Sequence, residues 1–144
     1  MAESITFLTK SSEATQEAGK EIAKLLMLGD VVCLTGDLGA GKTTLIKGLS
    51  QSLGEINPEE VTSPTFTYLH IYSGIQKIYH FDLYRLSSSA EFLRLGFHEF
   101  FSKDHICCVE WPDKIPEQLN FQKVHIDICY TSLKERKITF RRPE

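Results

Sequence analysis

The sequence predicts an α/β fold, in which helices are layered on a mixed, largely parallel sheet and a β-hairpin closes the C-terminal end. Three patterns carry this reading. Asp30-Val31-Val32-Cys33-Leu34-Thr35 is a short apolar run rich in β-branched residues, the composition of a strand buried on both faces. A glycine-rich segment joins it to residues 43–53, where Leu45, Ile46, Leu49 and Leu53 recur at helical spacing. Toward the end, Val124, Ile126, Ile128 and Tyr130 alternate with Lys123, His125, Asp127 and Cys129. Residues 136–140 alternate again, which predicts a hairpin.

The remaining elements follow in order. Ser4-Ile5-Thr6-Phe7-Leu8 alternates weakly and reads as a short first strand. Ser11 or Ser12 can cap the next helix, in which Ala14, Ala18, Ile22, Leu25 and Leu26 form an apolar stripe that Gly29 ends. The buried strand and its helix come next, with Gly54 as the stop signal. The polar, acidic stretch 54–60 is a loop. Residues 66–72 have strand composition, Ser73-Gly74 is a turn signal, and residues 76–81 form a second strand, so the two pair as a hairpin. Ser88-Ser89-Ala90-Glu91 fits a capping box before a short helix over Phe92-Leu93-Arg94-Leu95. Gly96 interrupts that helix, and His98-Glu99-Phe100-Phe101 continues it as a turn. Ile106-Cys107-Cys108-Val109 is a fully apolar strand, and prolines keep residues 111–116 irregular.

A length of 144 residues suits one domain over 1–144 with a single core. Hydrophobic content of 42% and charged content of 24% are those of a soluble globular protein. A net charge of −3 argues against a surface that binds polyanions throughout, so contact with nucleic acid would run through a partner or a local patch. No apolar run is long enough to span a bilayer, and Met1-Ala2-Glu3-Ser4 lacks the features of a secretory signal. Cys33, Cys107, Cys108 and Cys129 sit in strand-like runs without C-x-x-C spacing, and read as reduced, buried thiols of a cytoplasmic protein. Adjacent Cys107 and Cys108 must face opposite sides of their strand.

The chemistry concentrates in Gly36-Asp37-Leu38-Gly39-Ala40-Gly41-Lys42-Thr43, which matches G-x-x-x-x-G-K-[ST]. Glycines let backbone N–H groups approach a phosphate chain that a Cβ would obstruct. A lysine here reaches the β- and γ-phosphates, and a threonine hydroxyl binds Mg²⁺. The flanking strand and helix stand in the required order, so the fold is P-loop NTPase-like and three-layered. Such a site needs carboxylates at the ends of neighbouring strands. Asp82, after Ile78-Tyr79-His80-Phe81, and Glu110, after Ile106-Cys107-Cys108-Val109, qualify. Lys42, Asp82 and Glu110 are therefore the candidate catalytic residues.

Other positions stay open on sequence alone. Thr62-Ser63-Pro64-Thr65-Phe66 is either a phosphate-sensing turn or an ordinary turn before a strand. Trp111, the only tryptophan, is a lid, a base contact, a partner anchor or a packed core aromatic. His80 reads as a buried histidine behind the site rather than a ligand. Arg85 either approaches the phosphates or forms a surface ion pair. Lys134, Arg136, Lys137, Arg141 and Arg142 form a basic cluster, read as a solvated face or a patch near nucleotide or RNA.

Four segments together resemble one family: 36–44, Ser63-Pro64-Thr65-Phe66, His80-Phe81-Asp82-Leu83-Tyr84-Arg85-Leu86 and Val109-Glu110-Trp111-Pro112. The chain resembles the TsaE (YjeE) family, small bacterial ATPases of tRNA threonylcarbamoyladenosine biosynthesis. The match is dense from Leu34 to Pro112 and thinner at both ends. The resemblance implies ATP and Mg²⁺ as cofactors, slow hydrolysis by the protein alone, and action with the TsaB and TsaD proteins. Those partners transfer a threonylcarbamoyl group to an adenosine beside the anticodon, so tRNA is met indirectly. By position, Leu38, Gly39, Ala40, Gly41, Lys42 and Thr43 would wrap the phosphates. Thr43 and Glu110 would bind the metal, with Asp82 as a second acid. Thr44, Thr65 and Trp111 would be functionally sensitive, and Ser12 and Lys134 would border the nucleotide.

The rivals are a small GTPase and a small-molecule P-loop kinase. The chain lacks an Asn-Lys-x-Asp guanine motif and an Asp-x-x-Gly switch. A kinase needs an acceptor region and an arginine-bearing lid, for which this length leaves little room.

Overall fold

The computed structural model describes residues 3–37 and 41–143. The elements run β1 (Glu3–Thr9), α1 (Ser12–Ala23), β2 (Asp30–Thr35), α2 (Lys42–Gly54), β3 (Leu69–Ser73), β4 (Lys77–Asp82), α3 (Ser89–Arg94), β5 (Ile106–Glu110), β6 (Gln122–Tyr130) and β7 (Arg136–Arg142). Seven strands form one sheet in the order β1-β7-β6-β2-β5-β4-β3. The central strands β6, β2, β5 and β4 are parallel. β1, β7 and β3 join antiparallel, and β3–β4 and β6–β7 are the predicted hairpins. The expected mixed sheet, parallel at its centre around the strand before the glycine loop, is the one observed.

Alternation along the strands divides the interior into two cores, one on each face of the sheet, rather than the single core expected from length. Val32, Leu34, Ile78, Cys108, Val124 and Ile126 pack with Ile22 of α1 and Leu45, Ile46 and Leu49 of α2. Val31, Cys33, Tyr79, Phe81, Cys107 and Val109 pack on the opposite side with Phe92, Phe97, Phe100 and Phe101. Cys107 and Cys108 thus serve opposite cores, as neighbours on one strand must. Burial pushes the Cys33 thiol up to about 11 and that of Cys107 up to about 12, so both stay protonated at neutral pH.

The two helices of the first core cross at glycines. A Cβ on Gly48 would run into the backbone carbonyl of Gln16, and one on Gly19 into that of Leu45. This crossing fixes α2, and α2 begins at Lys42. Several boundaries differ from the sequence reading, three of them with a local cause. α1 ends at Ala23; the Leu25 and Leu26 amides bond back to Ile22 and Ala23 at 2.8 and 3.2 Å, and both side chains still pack on the core. Gly54 stays inside α2, and Glu55 makes the left-handed exit at φ 54°. β3 starts at Leu69 rather than at 66, because Tyr68 N–H bonds to Pro64 O at 2.8 Å and closes a turn.

The basic C-terminal cluster splits by strand parity. Lys137 and Arg141 are exposed. Arg142 turns inward and grips Asp30, which is fully buried, through contacts of 2.9 and 2.7 Å. It is a structural anchor and not part of a solvated face.

Candidate functional site

The glycine loop leaves β2 and enters α2 at Gly41, whose φ of 105° a side chain would strain. Leu38, Gly39 and Ala40, expected to wrap phosphates, lie outside the described residues. α1 is capped by Ser11 with Glu13 in its first turn, and α3 by Ser88 with Glu91. α2 has neither a side-chain cap nor an acid in its first turn. Its first N–H groups are therefore left without a side-chain cap or a first-turn acid, the condition under which a helix N-terminus suits an anion.

Lys42 is only 5% exposed. Its Nζ donates to Gly36 O at 2.9 Å, lies 4.0 Å from Glu110 Oε1 and sits 4.9 Å from the centre of the Trp111 ring. Glu110 closes β5, is 4% exposed, and places Oε2 at 2.7 Å from His80 Nε2. Asp82 closes β4 directly across from Glu110 in parallel register, and Glu110 in turn faces Leu34 of β2. Parallel register puts both carboxylates on one face, at the strand ends beside the loop. The candidate catalytic residues Lys42, Asp82 and Glu110 are thus gathered.

Asp82 Oδ2 accepts from Thr65 Oγ1 at 3.1 Å and from Ser63 Oγ at 3.4 Å, and Oδ1 accepts from Tyr84 N at 3.0 Å. The 62–66 turn is therefore tied to the site and is more than a lead into a strand. Trp111 adopts a left-handed backbone at φ 58°, a conformation that strains a bulky residue. That conformation lays the indole over Lys42 and against Tyr84, with ring centres 4.9 Å apart. His80 is buried behind Glu110, as its apolar setting suggested. Arg85 stacks over Phe66 at 4.9 Å, a contact that neither earlier option anticipated.

Ser12 opens α1, and Lys134 lies exposed in the β6–β7 turn. Pairing of Thr9 with Arg136, and a 4.0 Å contact between Lys10 and Glu135, bring that turn beside the start of α1. Arg136 also reaches the loop: a Cβ on Gly41 would lie 3.2 Å from its Nε. Its place in a basic run gave no sign of this, because the contact depends on the order of β7, β6 and β2. Between the ends of β2 and β6 and the 111–121 connection lies a cavity of about 500 Å³, lined in part by Lys42, Thr35, Trp111, Phe121, Lys123 and His125.

Among the described residues no three His, Cys, Asp or Glu side chains gather into a metal cage. Mg²⁺ does not need one; it keeps several waters and takes one or two carboxylates plus phosphate oxygens. Thr43, Glu110 and Asp82 are hard oxygen donors of that kind. The uncapped helix and the buried ammonium suit a phosphate chain, so the residues present fit both groups.

Strand, glycine loop, uncapped helix and paired strand-end carboxylates define a protein of the P-loop NTPase-like α/β class. The family model for "Threonylcarbamoyl adenosine biosynthesis protein TsaE" matches residues 9–138, and the chain belongs to that family. It is 38% identical to the tRNA threonylcarbamoyladenosine biosynthesis protein TsaE of Treponema pallidum, covering 92% of this chain and 96% of that one. It is 41% identical to the TsaE protein of Bacillus subtilis, over 92% of this chain and 82% of the other. Among solved structures it is similar to Bacillus subtilis YdiB, with a TM-score of 0.76 and 36% identity over 99% of this chain and 87% of that one. No helix among the described residues is long and apolar enough to cross a membrane.

Proposed function

We propose that this protein is the Mg²⁺-dependent, ATP-binding and ATP-hydrolysing subunit of tRNA threonylcarbamoyladenosine modification, acting in the cytoplasm with TsaB and TsaD. One observation carries the reading. A buried lysine is held at the uncapped start of α2 between Gly36 O and Glu110, and Asp82 sits in register beside Glu110.

Lys42 is pre-positioned, so little side-chain ordering remains for phosphate binding; it exchanges the Gly36 carbonyl for phosphate oxygens. The N–H groups at the start of α2 receive the phosphate chain, and Trp111 shields the lysine from water. Mg²⁺, when bound, would supply charge neutralisation at the phosphates. Thr43 and Glu110 would hold it, and Asp82 would order its shell while keeping Thr65 and Ser63 close. Ser12, Lys134 and Arg136 border the open side, where the rest of the nucleotide would lie. tRNA is reached through the partner complex.

ATP hydrolysis by the purified protein, with and without TsaB–TsaD, run beside a tRNA modification assay, tests this reading. Stimulated hydrolysis and restored modification are expected; absence of both would refute it. The cavity beside Lys42 favours one second reading, a small-molecule P-loop kinase with its acceptor in that space. Transfer of labelled γ-phosphate to a metabolite would support the kinase, whereas release to water alone supports the ATPase.

A further inference from the structure

Behind the site a hydrogen-bonded chain runs through the interior. Glu110 divides its oxygens: Oε1 faces Lys42, and Oε2 contacts His80 Nε2 at 2.7 Å. The other ring nitrogen of His80, Nδ1, lies 2.8 Å from the Tyr72 hydroxyl. That hydroxyl donates to Thr62 O at 2.9 Å and accepts from Thr62 N at 3.3 Å. His80 is fully buried and Tyr72 nearly so, with Cys108 beside His80 across the β4–β5 pair. A close-packed interior leaves these groups little room to absorb a displacement.

We propose that His80 and Tyr72 are positioning residues that couple the Glu110 carboxylate to the 62–65 turn, so that filling the site changes how that turn is held. The inference rests on the reading of the site as one for Mg²⁺ and nucleotide. The turn carries two tethers to the site. Its Ser63 and Thr65 hydroxyls bond Asp82, and its Thr62 backbone bonds Tyr72. Each tether leads to one of the two strand-end carboxylates. If Glu110 shifted forward to hold a cation, its Oε2 would draw away from His80. The ring and the Tyr72 hydroxyl must follow or let go, and Thr62 is the next group in line. Groups behind a metal-binding carboxylate orient it in this way, and the coupling needs a two-state element at its far end. In this proposal the turn, held by tethers that can be made or released, is that element.

The Tyr72 hydroxyl suits a permanent donor. Burial, together with the neighbouring Cys108 and Glu110, pushes it up to about 12 despite its bond to Thr62, so it keeps its proton near neutrality. The turn also displays Phe66, which is 82% exposed, with Arg85 stacked over it. A change in the tethers would therefore be visible on the protein surface beside the site.

Amide hydrogen exchange over residues 61–67, with and without a saturating Mg²⁺ complex of a non-hydrolysable ATP analogue, tests the proposal, with affinity measured separately by calorimetry. Wild-type exchange in the turn should change by about fivefold on binding, the effect of one hydrogen bond of about 1 kcal/mol. Tyr72→Phe removes a single hydroxyl and keeps the ring. His80→Gln keeps a group near Glu110 but drops the contact to Tyr72. Both variants should bind the analogue and lose the difference between free and bound exchange. A structural role alone would raise exchange equally in both states. Bound analogue with a wild-type exchange difference in both variants overturns the relay and leaves the site intact. Failure of the wild-type protein to bind overturns the site reading and the relay with it.

Discussion

Gly48→Ala is a sensitive probe of how the fold positions the site. In an ordinary helix interior this change stabilises by about 1 kcal/mol, because alanine has the higher helix propensity. Here the new methyl would meet the backbone carbonyl of Gln16 in α1, with the Gln16 Cα also 2.9 Å away. No side-chain rotation relieves a clash with backbone, so the helices must move apart. Overpacking typically costs about 1–3 kcal/mol, and a backbone neighbour places this site at the upper end. The net loss is about 2 kcal/mol, or roughly 6–8 °C in Tm for a chain of this size. Because α2 begins at Lys42, the shift should also weaken nucleotide binding. Ser52→Ala, at an exposed position of α2, is the control and should leave Tm unchanged or slightly raised. Thermal unfolding by circular dichroism reads both. A Gly48→Ala protein as stable as wild type would refute the close crossing.

Other expectations concern the carboxylates. Glu110→Ala should fold and lose ATP hydrolysis, read as phosphate release beside a circular dichroism spectrum; wild-type turnover would remove Glu110 from the metal role. Arg142→Met takes the guanidinium from Asp30, which is fully buried, and leaves Gln122 Nε2 and Met27 N, at 2.8 and 2.7 Å, as its hydrogen-bond partners among the described residues. Stranding that carboxylate should cost about 3–5 kcal/mol in urea denaturation, whereas the double variant Asp30→Asn, Arg142→Met should recover part of the loss.

Local chemistry was readable in the sequence; contacts between distant segments were not. The apolar run of β2 and the periodicity of α2 marked the loop, and strand-end position marked Asp82 and Glu110. Ser88 caps α3 as its spacing predicts, although the Glu91 carboxylate reaches the amide of Ser87 rather than that of Ser88. The start of β3 was misplaced because strand composition at 66–68 says nothing of a turn held by Pro64 O and Asp82 N. Arg142 looked like one more surface cation because Asp30 lies at the far end of the chain. Gly19 and Gly48 carried no motif, since their requirement comes from the partner helix. Tyr72 looked like an ordinary strand residue until antiparallel pairing of β3 and β4 set it beside His80.

Calorimetric titration of Mg²⁺·ATP into wild-type protein and Lys42→Ala tests the central claim most directly. Lys42 is buried against Gly36 O and Glu110 at the start of α2, where a phosphate chain would meet it. Wild type should bind ATP in preference to GTP, and Lys42→Ala should show no binding over the same concentration range. Equal affinity in the two proteins, or no binding by wild type, would contradict the account.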